Sequence, residues 1–402
     1  QDLEGKRIVR IATRGSHILA LTDSGFVYSW GRNDSGQLGL GDKRSRSRPH
    51  VISMFKNQGL VIKDIACGRM HSVALGMSGE LYSWGCGDEG ATGLSTTSTV
   101  YEPQKIEDLH NVVQVACGSR HTLAVTEPEN QEGEQGSLEN ELYSWGWNSN
   151  GQLGLGDNVN RNSPMLVKFP VDSSQDGFLL GDSASEHGGR LIIHQISCGY
   201  RHSMAVIIEE SNQSSPHSPD SKDRATCPSE LWAWGWNQYR QLGFSSEVQS
   251  VILPTLVSDL PHEVYKIEGG GRHTLAILRR KRDNAKRIYS WGRGDDGQLG
   301  IGMSVQSAGP SRTRTAGENV ELIAAGWSHS VCVQSKQAEN LEKRLKTEAR
   351  DRVSMRFPSF AFRPRLTPGK PKTRLQKALA IFNCSFSDVF SFGNIDGGFA
   401  QL

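Results

Sequence analysis

The stretch "SWGRNDSGQLGLGD", residues 29–42, decides how this chain is read. Nearly the same wording returns as "SWGWNSNGQLGLGD" at 144–157 and as "SWGRGDDGQLGIG" at 290–302. Counted from each tryptophan, glycine recurs at the first, sixth and ninth positions: Gly31, Gly36 and Gly39, then Gly85, Gly90 and Gly93, Gly146, Gly151 and Gly154, and Gly292, Gly297 and Gly300. Glycine reaches positive φ without a Cβ penalty, so regular spacing of this kind marks fixed turns between strands. A phosphate-cradling loop is a single copy that opens a helix and ends in Lys-Ser/Thr; recurrence without that lysine excludes it here. The fourth copy departs from the rule, with Arg240 in place of the second glycine.

A second phrase, Gly-x-x-His or a close variant, places His17, His71, His121, His202, His273 and His329 ahead of Trp30, Trp84, Trp145, Trp234, Trp291 and a degenerate Phe392. The separation is 13 residues in the first two copies and 24, 32, 18 and 63 in the later ones. All the added residues fall at one point of the repeat: "EPENQEGEQGSLEN" (127–140), the serine-rich 209–229, "RRKRDNAKR" (279–287) and 336–388. Between the anchors, "VVQVACG", "HTLAVT" and "ELYSWG" are short, β-branched and aromatic, and a further strand follows at phrases such as "SPMLVKF". A unit of about 50 residues with four strands is a propeller blade. The expected fold is therefore all-β: a β-propeller of four-stranded antiparallel blades over 1–335, a charged helical or disordered insertion at 336–388, and a degenerate final repeat segment at 389–402. Helical periodicity is confined to "KQAENLEKRLKTEARDRV" (336–353) in that insertion.

Composition narrows the function. The chain carries 45 Lys and Arg against 43 Asp and Glu over 402 residues, so it is no polycation, and any nucleic-acid contact is expected only at local basic loops. It has no apolar run of 18 residues and no signal-peptide pattern, which predicts a soluble, non-secreted protein without membrane contact. Cys67, Cys117 and Cys198 recur one repeat apart in "IACG", "VACG" and "ISCG", as buried strand residues and not as disulfide partners.

The six histidines occupy equivalent positions in successive units, whereas a catalytic centre or zinc site needs different side chains converging on one point. No catalytic, cofactor-binding or metal-ligating set is expected, and no bond-making chemistry. Function is assigned instead to the propeller faces. In an antiparallel meander the Gly-x-x-His turn and the turn after Trp-Gly share one face, which gathers Arg69, Arg120, Tyr200, Arg201, Arg272, Trp327, Trp147, Trp236 and Arg293, residue types common at interface hot spots. The other face carries the insertions, where Arg279, Arg280, Lys281 and Arg282 form a candidate nuclear-import patch alongside "DKRSRSRP" (42–49) and "RPRLTPGKPKTR" (363–374).

With "YSWGRxxxGQLGxG" and "ACGxRHTLAV" both in view, the chain resembles the regulator of chromosome condensation 1 family over roughly residues 6–335. The resemblance implies a propeller, usually seven-bladed, although six histidine anchors are present. It implies a regulatory interaction scaffold, nuclear and also cytoplasmic, that binds a chromatin component such as a histone or another protein. The alternative it offers is guanine-nucleotide exchange on a Ran-type small GTPase, as in the founding member. The plant UV-B photoreceptor branch is disfavoured, because its clustered tryptophans are replaced here by Met70, Ser119, Tyr200 and Gly271 beside the retained arginines, while an arginine-mediated dimer stays open.

Overall fold

The computed structural model describes residues 3–127, 138–170, 190–210, 229–244, 247–258, 260–314, 318, 320–334, 390–395 and 398–399. They form six four-stranded antiparallel sheets, each a meander in chain order. The first contains β1 (Ile8–Ala12), β2 (His17–Thr22), β3 (Val27–Gly31) and β4 (Arg46–Val51). The second contains β5 (Ile62–Cys67), β6 (His71–Gly76), β7 (Leu81–Gly85) and β8 (Val100–Lys105), and the third β9 (Val112–Cys117), β10 (His121–Thr126), β11 (Glu141–Gly146) and β12 (Arg161–Leu166). The fourth has β13 (Arg190–Cys198), β14 (His202–Glu210), β15 (Ser229–Trp236) and β16 (Ser250–Leu256). The fifth has β17 (Glu263–Gly269), β18 (His273–Arg279), β19 (Lys286–Gly292) and β20 (Ser307–Arg312), and the sixth β21 (Val320–Ala325), β22 (His329–Gln334), β23 (Phe390–Ile395) and β24 (Gly398–Phe399). A seventh sheet is not among the described residues, and the 336–353 helix expected from sequence lies outside them. No described helix is long and apolar enough to cross a membrane.

Each repeat keeps the same devices. One register shift recurs in every pairing between the first and second strands, as at Ile8/Arg10, Ile62/Asp64 and Ile193/Gln195, adding local twist. The outermost strands β4, β8, β12, β16 and β20 carry Pro49, Pro103, Pro164, Pro254 and Pro310, which remove a backbone donor from an edge that could otherwise recruit another strand.

Successive sheets pack face to face, and the tryptophans fill the wedges: Trp84 joins the core between the first two sheets, Trp145 the next, then Trp234 and Trp291, all fully buried. The ninth-position glycine is required by that indole as much as by its turn. A Cβ on Gly39 would stand 2.7 Å from Trp84 Nε1, and one on Gly154 2.8 Å from Trp234 Nε1. Trp30, in the sheet that no described sheet precedes, is only half-buried.

The histidines are the second tie between sheets. His17 Nε2 lies 2.8 Å from Ser72 Oγ, His71 Nε2 3.0 Å from Thr122 Oγ1, His121 Nε2 3.0 Å from Ser203 Oγ, His202 Nε2 3.3 Å from Thr274 Oγ1 and His273 Nε2 2.9 Å from Ser330 Oγ. Each hydroxyl donates its one proton to a carbonyl of the preceding sheet's post-tryptophan loop, that of Gln37, Ala91, Gln152, Gln241 or Gln298. The hydroxyl must therefore accept, and the imidazole donates from Nε2 as the neutral tautomer. Burial holds these rings uncharged, lowering His17 to about 4 and His71, His202 and His273 to about 3, with His121 also well below its ordinary value.

Two outcomes follow. Below pH ~6.5 the unfolded chain protonates these histidines while the folded chain does not, so stability is complete above that pH and declines toward the folded values, by up to about 1.4 kcal/mol per pH unit for each ring. Denaturant titrations at stepped pH will show a steep loss between pH ~6.5 and ~4. Second, Arg240 occupies the sixth-position turn with φ +61°, where every other described copy has glycine at positive φ. Arg240→Gly will raise stability by about 1 kcal/mol, read as a higher denaturation midpoint.

Candidate functional site

The turn before each histidine and the turn after each tryptophan meet at one end of the sheets: the Trp147 amide donates to the Arg120 carbonyl, Trp236 to Arg201 and Arg293 to Arg272. The insertions leave from the opposite end, since Thr126 and Glu141, which flank 127–140, pair at the far end of a ladder that begins at His121 and Gly146. The Gly-x-x-His turns and the turns after Trp-Gly therefore lie at one end of the sheets.

Its centre is an alternation of guanidinium groups and aromatic rings. Arg120 lies 5.8 Å from the Trp147 ring centre and Arg201 4.5 Å from the same ring; Arg201 is also 5.2 Å from both Tyr200 and Trp236. Arg272 lies 5.8 Å from Trp236, 5.1 Å from Tyr239 and 5.8 Å from Trp327, and Arg293 ends the series 5.8 Å from Tyr239. Trp327 packs edge-on against Tyr200 at 4.5 Å, across the intervening Gly271, where a Cβ would stand 2.4 Å from the Trp327 carbonyl oxygen. Trp327 is 50% exposed, so the series opens to solvent. The three indoles are spaced by arginines, and none stacks on another among the described residues.

The charges at its two ends are matched: Arg120 meets Glu89 at 2.5 Å, and Arg293 meets Asp295 at 2.9 Å and Asp296 at 3.6 Å. Arg32, in the equivalent loop of the first sheet, is held by Asp34. Arg69, Arg201 and Arg272 have no carboxylate partner among the described residues. Arg69 Nη1 reaches the Tyr200 hydroxyl at 3.4 Å and Arg272 Nη1 the Tyr239 hydroxyl at 3.1 Å, while the buried Nε atoms of Arg201 and Arg272 have no hydrogen-bond acceptor. Burial raises the Tyr200 phenol pKa, but the nearby polar groups and charges, chief among them Arg69 with Arg201, outweigh it, so the net shift is downward.

The other face presents its basic run differently. Arg279 is buried and bonded to Glu263 at 2.8 Å, Arg280 is paired with Asp283, and Lys281 lies 3.4 Å from Glu263. Arg280, Lys281 and Arg282 rim a cavity of about 470 Å³ with Glu230, His262 and Glu263. Only Lys281 and Arg282 of the four are fully solvent-facing. Glu89 carries no signal in the sequence, because its role depends on which loop lies beside Arg120.

Among the described residues no group of three or more His, Cys, Asp or Glu could hold a metal ion. Six four-stranded antiparallel sheets, each a meander in chain order, define a β-propeller. The chain belongs to the regulator of chromosome condensation family: residues 1–214 match the model of the RCC1-like domain, and 229–277 and 287–333 match the regulator of chromosome condensation (RCC1) repeat. It is 34% identical over 367 residues to the ultraviolet-B receptor UVR8 of Arabidopsis thaliana, covering 82% of this chain and 75% of that one. It is 32% identical over 329 residues to the human E3 ubiquitin-protein ligase HERC2, covering 80% of this chain but 6% of the ligase. The crystal structure of human WBSCR16 superposes with a TM-score of 0.57 at 24% identity, covering 81% of this chain and 72% of that one, which is a likeness of fold.

Proposed function

We propose that this protein is a non-catalytic recognition scaffold whose Gly-x-x-His face binds a carboxylate-bearing protein partner. The observation that carries this reading is the pair Arg201 and Arg272, each bracketed by aromatic rings and without a carboxylate partner among the described residues, in a series whose end members Arg120 and Arg293 do have one. A guanidinium held between ring faces is preorganised, so binding an incoming carboxylate immobilises little new side chain. Asp34, Glu89, Asp295 and Asp296 neutralise the flanking Arg32, Arg120 and Arg293, which confines the available positive charge to a short patch that suits a compact acidic protein surface better than a long polyphosphate backbone. The basic segments at 42–49 and 363–374 support a nuclear location.

Affinity capture with cross-linking, comparing the intact chain with the Arg201→Glu/Arg272→Glu double variant, tests this. The partner's cross-links should map to the face, and the double variant should bind at least about thirtyfold more weakly, the scale of an interface hot spot, with an unchanged melting temperature. Undiminished capture by the variant would assign recognition to the insertion face.

A further inference from the structure

The position three residues before each histidine is glycine in five sheets, Gly68, Gly118, Gly199, Gly270 and Gly326, and arginine in the first, Arg14. The glycines are obligatory where they stand: a Cβ on any of them would fall between 1.9 and 2.3 Å from its own histidine's Cε1. Each also donates its backbone N–H to that histidine's carbonyl. In the first sheet the turn is built differently. The Thr13 hydroxyl donates to the His17 carbonyl at 3.0 Å, and the residue after it is free to carry a side chain.

That side chain leaves its own sheet. Arg14 Nη2 donates to the Cys198 carbonyl at 2.5 Å and the Gly269 carbonyl at 3.3 Å, groups 184 and 255 residues away in the chain. Cys198 and Gly269 end the innermost strands β13 and β17. Directly after them come the turns that carry Tyr200 with Arg201 and Gly271 with Arg272. These two turns are themselves joined, since the Tyr200 amide donates to the Gly270 carbonyl at 3.1 Å, and Gly271 donates onward to Gly326 at 3.0 Å.

We infer that Arg14 is a positioning residue for the recognition face: a strut from the first sheet that fixes the bases of the two turns bearing Arg201 and Arg272. A charged donor shared by two carbonyls at adjacent strand ends sets their separation, and with it the spacing of Arg201 and Arg272 around the Trp236 ring. The inference rests on the reading of that face, but its test is made on the free protein, so the two can fail separately.

Arg14→Gly installs the residue that the other five turns already carry, and Arg14→Met keeps an aliphatic stem while removing the donors. Hydrogen exchange on the full chain should show the amides of Gly199, Tyr200, Gly270 and Gly271 exchanging about tenfold faster in both variants, the scale of a lost hydrogen bond from a charged group, with Gly68 and Gly118 unchanged as internal controls. Unchanged exchange at the four amides would overturn the inference. So would an equal acceleration at Gly68 and Gly118, which would make Arg14 a general stabilising residue and not a positioning one.

Discussion

A buried imidazole N–H, accepted by a hydroxyl of the next sheet that in turn donates to a carbonyl of the sheet before, is the constraint on which the array depends. It repeats from His17 with Ser72 to His273 with Ser330, and the imidazole donor and the hydroxyl are satisfied only when two neighbouring sheets are in register. Removing any one member would leave a buried donor or acceptor unpaired, a penalty larger than the bond itself contributes. The indoles act beside this link by filling the wedge, and Trp84 and Trp234 also donate Nε1–H to the same loop carbonyls, those of Gln37 and Gln152, at 3.0 Å. In these two pairs of sheets one loop carbonyl therefore organises both anchors of the next sheet. The five linked histidines, His17, His71, His121, His202 and His273, are framework.

Because the framework is satisfied internally, the turns it supports can vary. Arginine stands immediately before the histidine in the third, fourth and fifth sheets, whereas Ser16, Met70 and Ser328 stand there in the others. The aromatic partners come from a different part of the repeat, the second position after tryptophan, as Trp147 and Trp236. Cation–π contacts between the two sets give a preorganised surface at a cost of about 0.5–2 kcal/mol less than ordering the arginines alone would require. Buried thiols add nothing reactive: Cys117 is pushed up to about 12 by burial and Cys198 rises with it.

The fold was legible because its signals are periodic. Glycine spacing, the histidine and tryptophan anchors and the single insertion point all follow from one unit repeated, and the sheets fall where those anchors place them. Which turns share an end was legible too, since an antiparallel meander returns every second turn to the same side. What could not be read was pairwise order: that Arg201 lies between Trp147 and Trp236, or that Glu89 takes Arg120, depends on the offset between neighbouring sheets, which no local sequence reports. Arg279 looked like part of a free basic run, yet it is the last residue of β18 and pairs across to Glu263. Arg14 is visible in sequence as an exception to glycine, but its destination is set only by tertiary closure.

The most direct test of the central link is long-range proton–nitrogen NMR of the histidine rings in the folded chain near pH ~5. His17, His71, His121, His202 and His273 should each remain a single neutral tautomer protonated at Nε2. Rings that exchange tautomers, or that become doubly protonated with an ordinary midpoint near ~6.5, would contradict it.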